Sequence, residues 1–166
     1  MRRDTIGSLA LLAVLALLIL RPWEWDAGAA PAAATAPVVR VVDGDTFEAR
    51  IGGVNEDVRL IGVDTPETVK PGTPVQCFGP QASHFSHGLL EGRSVRLVFG
   101  VERRDVYGRL LAYVHLGDRF VNAILVRRGL ARTLTIPPND RYAPLLHRVE
   151  AAAARAGRGL WSACRP

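Results

Sequence analysis

The chain has 166 residues, a hydrophobic content of 48%, a net charge of +5 and only two cysteines, Cys77 and Cys164. That length gives one domain, with room for an appendage and a real core, and two cysteines without a suitable cysteine–histidine spacing argue against a zinc site. Excluding residues 1–36 leaves 18 basic against 13 acidic residues, so the folded part itself is basic and suits a polyanionic partner such as nucleic acid or an anionic membrane surface.

In chain order, Met1-Arg2-Arg3 precedes an apolar run from Ile6 to Leu20, followed by Arg21-Pro22-Trp23-Glu24-Trp25. This is the pattern of a secretory signal, and residues 1–26 are expected to be a signal peptide or a retained signal anchor forming an apolar helix. Small residues at Ala27-Gly28-Ala29 or Ala32–Ala34 suit cleavage, whereas Trp23 and Trp25 suit an interfacial anchor. Either ending predicts export, with the domain on the outer face of the membrane or secreted. Residues 27–37 read as an alanine/proline linker, and residues 38–166 as the folded domain.

Val38–Val42 is rich in β-branched residues and predicts a strand. Asp43-Gly44-Asp45 interrupts it, Thr46–Ile51 resumes with alternation, and Gly52-Gly53 predicts a hairpin returning into Val58–Val63. Pro80–Leu90 reads as a helix, Ser94–Phe99 and Leu110–Leu116 as strands, and Val121–Arg128 as a short helix stopped by Gly129. Leu130–Ile136 reads as a last short strand, and alanine-rich Arg141–Ala156 as the longest helix of the domain, with Trp161 packing back on the body. Strands first and helices interspersed predict an α+β fold: an OB-fold-like five-stranded barrel with about three helices, expected to be monomeric.

Three clusters carry charge at turns and strand ends: Asp43-Gly44-Asp45-Thr46, Arg59 with Asp64-Thr65-Pro66-Glu67, and Asp105-Val106-Tyr107-Gly108-Arg109. Ionised groups beside apolar strands must line a cleft, pair with one another or hold a metal. Asp45, Asp64 and a backbone carbonyl are hard oxygen donors suited to Ca²⁺ or Mg²⁺. Two arginines can grip phosphate oxygens bidentately and stabilise a five-coordinate phosphorus, and Glu67 can accept a proton from attacking water. Arg59 and Asp64 have opposite parity, so a continuous strand would aim them at opposite faces; a bend near Gly62 or Val63 is required. His84, His87, His115 and His147 fall outside these clusters and read as surface residues. In an oxidising compartment Cys77 and Cys164 allow one bridge; otherwise they are two free thiols.

These motifs occur in order: Val41-Val42-Asp43-Gly44-Asp45-Thr46, Arg59-Leu60-Ile61-Gly62-Val63-Asp64-Thr65-Pro66-Glu67, Tyr107-Gly108-Arg109-Leu110-Leu111-Ala112-Tyr113, and Val121-Asn122 through Gly129-Leu130-Ala131. With them the chain resembles the staphylococcal nuclease (thermonuclease) family from about Val39 to Trp161. The resemblance implies a Ca²⁺-dependent phosphodiesterase that cleaves DNA and RNA at the P–O5′ bond. It implies Asp45 and Asp64 as metal carboxylates, Thr65 as a carbonyl ligand, and Arg59 and Arg109 as phosphate-binding arginines. Glu67 falls on the presumed base, Asp43 on a nearby supporting acid and Tyr107 on a nucleotide contact. Three departures bear on base preference: the cysteine-containing, less basic loop Val69–Phe78, Val106 in place of a lysine, and the absence of tyrosines in Leu134–Ile136. The alternative of the same fold is a nucleic-acid-binding module that has lost catalysis, yet every one of the matching charged positions is filled.

Overall fold

A computed structural model describes residues 32–69 and 71–164. The apolar leading segment, the expected signal or anchor, lies outside the described residues. Among those described, no helix is long and apolar enough to cross a membrane.

Five strands make the body: β1 (Ala33–Asp43), β2 (Thr46–Ile51), β3 (Val54–Leu60), β5 (Ser94–Arg104) and β6 (Leu110–Leu116). They follow the order β3-β2-β1-β5-β6, and a parallel β3–β6 pairing closes the sheet into a barrel. The two-residue strands β4 (Val63–Asp64) and β8 (Arg132–Thr133) pair with each other, and β7 (Arg119–Phe120) extends β6. Helices α1 (Gly79–Leu90), α2 (Val121–Arg127), α3 (Ala143–Arg155) and the single turn α4 (Leu160–Ala163) complete the described chain. This is the α+β, OB-type barrel that the strand spacing predicts.

Three boundaries differ from expectation. The domain begins inside the expected linker: Ala33–Pro37 pair with Ser94–Val98 of β5 before the strand crosses over to β2 at Val38. Register shifts between Val38 and Arg40 and between Val41 and Asp43 let one strand serve both partners. β5 continues to Arg104 rather than stopping at Phe99, and Leu130–Ile136 supplies only the two residues of β8.

Alternation decides what faces inward. Phe47 and Ala49 of β2, Val58 and Leu60 of β3, and Leu97, Ala112 and Val114 are buried together, capped by Leu125 and Val126 of α2 and Leu146 of α3. The turn Gly52-Gly53 has φ of 60° and 87°, the left-handed pair that a tight hairpin needs. Cys77 and Cys164 form a disulfide with a Cα–Cα distance of 5.8 Å, tying the loop before α1 to the end of α4.

Candidate active site

Arg59 sits near the end of β3 between two neighbours, opposite Thr46 of β2 and Leu111 of β6. Val58 and Leu60 point into the core, so Arg59 points out of the barrel. The strand then turns at Ile61-Gly62, with Gly62 at φ 79°, a value that glycine reaches at no steric cost. A β-carbon there would lie 2.7 Å from Leu146 Cδ1. Past this turn Asp64 comes back to the arginine: Arg59 Nη2 lies 2.9 Å from Asp64 Oδ1 and 3.2 Å from Asp45 Oδ2. Arg59 Nη1 donates to the carbonyls of Leu60 (2.8 Å) and Val63 (2.7 Å), spanning the turn. The parity conflict between Arg59 and Asp64 is thus resolved by a bend at Gly62.

Asp45 arrives from the β1–β2 turn, closed by Asp43 opposite Thr46. Its side chain is buried and both oxygens accept hydrogen bonds, Oδ1 only one. Oδ2 accepts from Thr65 N (2.7 Å) and Thr65 Oγ1 (2.9 Å), and Oδ1 accepts from Thr46 Oγ1 (3.1 Å). Gly44 makes this approach possible, because a β-carbon there would meet Thr65 side-chain atoms at 2.8 Å. The turn is held from behind by Ser86 of α1, whose hydroxyl donates to Gly44 O.

Asp43 and Glu67 meet on the other side of the turn. Asp43 Oδ1 accepts from Gly44 N (2.7 Å) and Thr68 Oγ1 (2.6 Å). Glu67 Oε1 accepts from the backbone of Thr68 and Val69, each at 2.8 Å, and Gln76 holds the Glu67 backbone through two bonds. Burial pushes the Asp43 carboxyl above its ordinary value, against the pull of Thr68 and Gly44, with Glu67 and Asp45 adding to the rise. Asp64 is also raised: partial enclosure pushes it up, Arg59 opposes, and the nearby Asp45 and Glu67 carboxylates push it further. Two acids pair with the Arg59 guanidinium and two more carboxyls, Asp43 and Glu67, lie close to those, an excess of acids over nearby cations that invites a metal ion.

The donor chemistry fits a hard divalent ion. Asp64 is 58% exposed at its side chain and presents a carboxylate beside Asp45, with the Thr65 main chain next to it. Among the described residues no three histidine, cysteine or acidic side chains form a ready-made metal cage; two carboxylates, a carbonyl and water are oxygen donors of the kind a hard divalent ion takes.

Arg109 stands apart from the acids. It follows a turn that Asp105 organises: Asp105 Oδ1 accepts from Tyr107 N and Arg109 N, each at 3.0 Å, and Oδ2 accepts from Arg109 Nε at 2.7 Å. Burial raises the Asp105 carboxyl, but the Arg109 guanidinium and these backbone donors outweigh it and hold it below its ordinary value. The Arg109 guanidinium lies 5.3 Å from the centre of the Tyr107 ring. Arg59, Arg109 and Tyr107 line one pocket of about 290 Å³ whose outer wall carries Val106, Leu134 and Ile136. Asn139 fixes that wall by bonding both backbone groups of Glu102 in β5.

The description "Staphylococcal nuclease homologue" fits the family model that matches residues 57–163. The chain belongs to the staphylococcal nuclease family. It is 49% identical over 124 residues to a thermonuclease of Staphylococcus intermedius, covering 75% of this chain and 74% of that one. A thermonuclease of Staphylococcus hyicus is 43% identical over 128 residues, covering 77% and 76%. The endonuclease YncB of Bacillus subtilis is 38% identical over 125 residues, covering 74% of this chain and 59% of its own. The protein is accordingly a nuclease, a hydrolase of phosphodiester bonds, and nucleases of this family use a metal ion.

The structure gathers Asp43, Asp45, Arg59, Asp64, Thr65 and Glu67 into one cluster and sets Arg109 and Tyr107 on the pocket beside it. Sequence reasoning missed the residues that hold these in place. Asp105 stands out as an acid four residues before Arg109, whereas Thr68, Asn122 and Asn139 act across 25, 61 and 37 residues and Gln76 across an irregular loop of nine, where no local pattern announces them. Asn122 is fully buried and joins Val114 N to Ile61 O, fastening the bend to β6.

Proposed function

We propose that the protein is an exported, Ca²⁺-dependent nuclease that cleaves DNA and RNA at the P–O5′ bond. The observation that carries this reading is Arg59 held between Asp45 and Asp64 at the edge of a pocket that Arg109 and Tyr107 share. Asp45, Asp64 and the Thr65 carbonyl would hold the ion, which when bound polarises a phosphoryl oxygen. Arg59 and Arg109 grip the scissile phosphate and stabilise the charge that builds as phosphorus becomes five-coordinate. Glu67, aligned by two backbone N–H bonds, accepts the proton of the attacking water, and the O5′ leaving group departs with a proton from solvent. Asp43 keeps Glu67 in place, and Tyr107 flanks the nucleotide.

Nothing in this scheme uses the 2′-hydroxyl, which supports action on both sugars. Export is supported by the basic and apolar leader and by the Cys77–Cys164 bridge, which suits an oxidising compartment. The test mixes the full chain with single-stranded DNA and with RNA in Ca²⁺, with chelator and with Arg59→Ala as controls. Cleavage to 3′-phosphate ends, abolished by either control, is expected. Retained binding without cleavage in any divalent metal would make the protein a binding module instead.

A further inference from the structure

A second depression, of about 730 Å³, lies beside the first turns of α1. Its walls come from three places: Phe78, His84 and Phe85 at α1, Arg127 and Arg128 at the end of α2, and Arg158 between α3 and α4. No acidic residue lines it. Among the described residues, none of the ion pairs involves these three arginines.

Their partners are neutral. Arg158 Nη1 donates to Arg127 O at 3.2 Å, and the Arg128 guanidinium lies 4.8 Å from the centre of the Phe85 ring. Three like charges gathered with no counter-charge repel one another and are relieved by an anion. A guanidinium seated on an aromatic face is also the surface on which a base or a phosphate settles.

The walls are fastened, so the arginines are spaced in advance. Leu160 N donates to Gly129 O at 2.9 Å, and a β-carbon on Gly129 would fall 2.0 Å from Arg158 O. The Cys77–Cys164 bridge ties the residue before Phe78 to the end of α4. The α1 wall also starts where the acid cluster ends: a β-carbon on Gly79 would lie 3.0 Å from the carbonyls of both Pro66 and Glu67. The helix that walls the depression is therefore the one packed against the Glu67 loop.

From this geometry we propose that the depression is an exosite for the sugar-phosphate backbone of the substrate strand, several nucleotides from the scissile bond. It rests on the nuclease reading above and adds a preference for long strands over short ones. A shallow, open shelf of arginines with Phe85 under one of them suits a polyanion laid along it, whereas insertion into a membrane calls for protruding apolar side chains. Arg127, Arg128 and Arg158 each neutralise one phosphate.

The test uses the full chain and the triple variant Arg127→Ser/Arg128→Ser/Arg158→Ser, with Arg127→Lys/Arg128→Lys/Arg158→Lys as the charge-preserving control. Binding of a single-stranded DNA of about 30 nucleotides is measured in chelator across a salt series, so that no cleavage intervenes. Loss of three phosphate contacts should weaken binding about 10- to 100-fold at low salt and make the log–log salt slope shallower by about 2. Cleavage of a dinucleotide substrate in Ca²⁺ should stay within about twofold, because the exosite lies beyond its reach. The lysine variant should keep most of the slope.

Should the serine variant fail to fold, the Arg127→Ser and Arg128→Ser single variants should each lower the slope by about 0.7. An unchanged slope overturns the proposal. So do parallel losses on long and short substrates with unchanged melting temperature, or a loss confined to binding of phosphatidylglycerol vesicles, which would mark a membrane-facing patch. A wild type that binds DNA through these arginines but cleaves nothing would refute the nuclease reading and leave the exosite standing. Cleavage and binding of the 30-nucleotide strand that are both indifferent to the arginines would do the reverse.

Discussion

Replacing Arg59 by alanine tests how the acid cluster is made tolerable. The Arg59 side chain is 12% exposed and Asp45 8%, so the pair is largely withdrawn from water. Arg59→Ala removes the cation nearest to Asp45 and the donor shared by the Leu60 and Val63 carbonyls that span the bend. Breaking a buried ion pair from one side costs about 3–5 kcal/mol, because the remaining charge stays buried without compensation. Thr65 and Thr46 still bond Asp45, which places the expected loss toward the lower end, about 3 kcal/mol.

Arg59→Lys keeps the charge but cannot span two carboxylates and two carbonyls at once, so about half that loss is expected. The assay is urea unfolding in chelator at neutral pH. A divalent ion should then recover more stability in Arg59→Ala than in the wild type, since a hundredfold excess over its dissociation constant is worth about 2.7 kcal/mol and the variant site is more negative. Cleavage should not recover with it. An Arg59→Ala cost below about 1 kcal/mol, or an ion that stabilises both proteins equally, would refute Arg59 as the counter-charge of this cluster.

Three further outcomes follow from the same geometry. Gly62→Ala forces a β-carbon into a left-handed backbone and against Leu146; urea midpoints should show a loss of about 1–3 kcal/mol, and turnover should fall further than the unfolded fraction explains. Asp64→Asn should raise the melting temperature of the metal-free protein by about 1–3 °C at neutral pH. The folded carboxyl holds its proton more tightly than the unfolded one, so its ionised form opposes folding, and the gain should vanish as pH falls through the raised value toward 3.8. The same variant should weaken divalent-ion binding about 10- to 100-fold or more by calorimetry. Cys77→Ser/Cys164→Ser opens a link across a separation of 87 residues and should cost about 3–5 kcal/mol in chemical unfolding, because that link restricts the unfolded chain.

Much of this molecule is legible in its sequence. The β-branched run Val38–Val42, the Gly52-Gly53 turn and the Leu110–Leu116 strand announce the barrel through local pattern alone. Arg59 and Asp64 announce a bend because their parity forbids a straight strand, and Gly62 is the residue able to supply it. Ala33–Pro37 reads as a tether since alanine and proline carry no strand signal, and only the β5 edge gives it a partner. The parallel β3–β6 closure, the Thr68–Asp43 bond and the Asn139 clamp join residues 25 or more positions apart, beyond any local pattern. The two cysteines left a bridge and free thiols equally open, and the fold decides by bringing their Cα atoms within 5.8 Å.

In the proposed reaction Glu67 takes the proton of attacking water beside an arginine-gripped phosphate. The most direct test of that step is single-turnover cleavage of an end-labelled single-stranded oligonucleotide by the wild type and Glu67→Gln at saturating Ca²⁺, with substrate affinity measured alongside. The account predicts a rate lower by about 10²- to 10⁴-fold with affinity changed by less than about threefold. A rate within threefold of the wild type, or equal losses in rate and affinity, would contradict it.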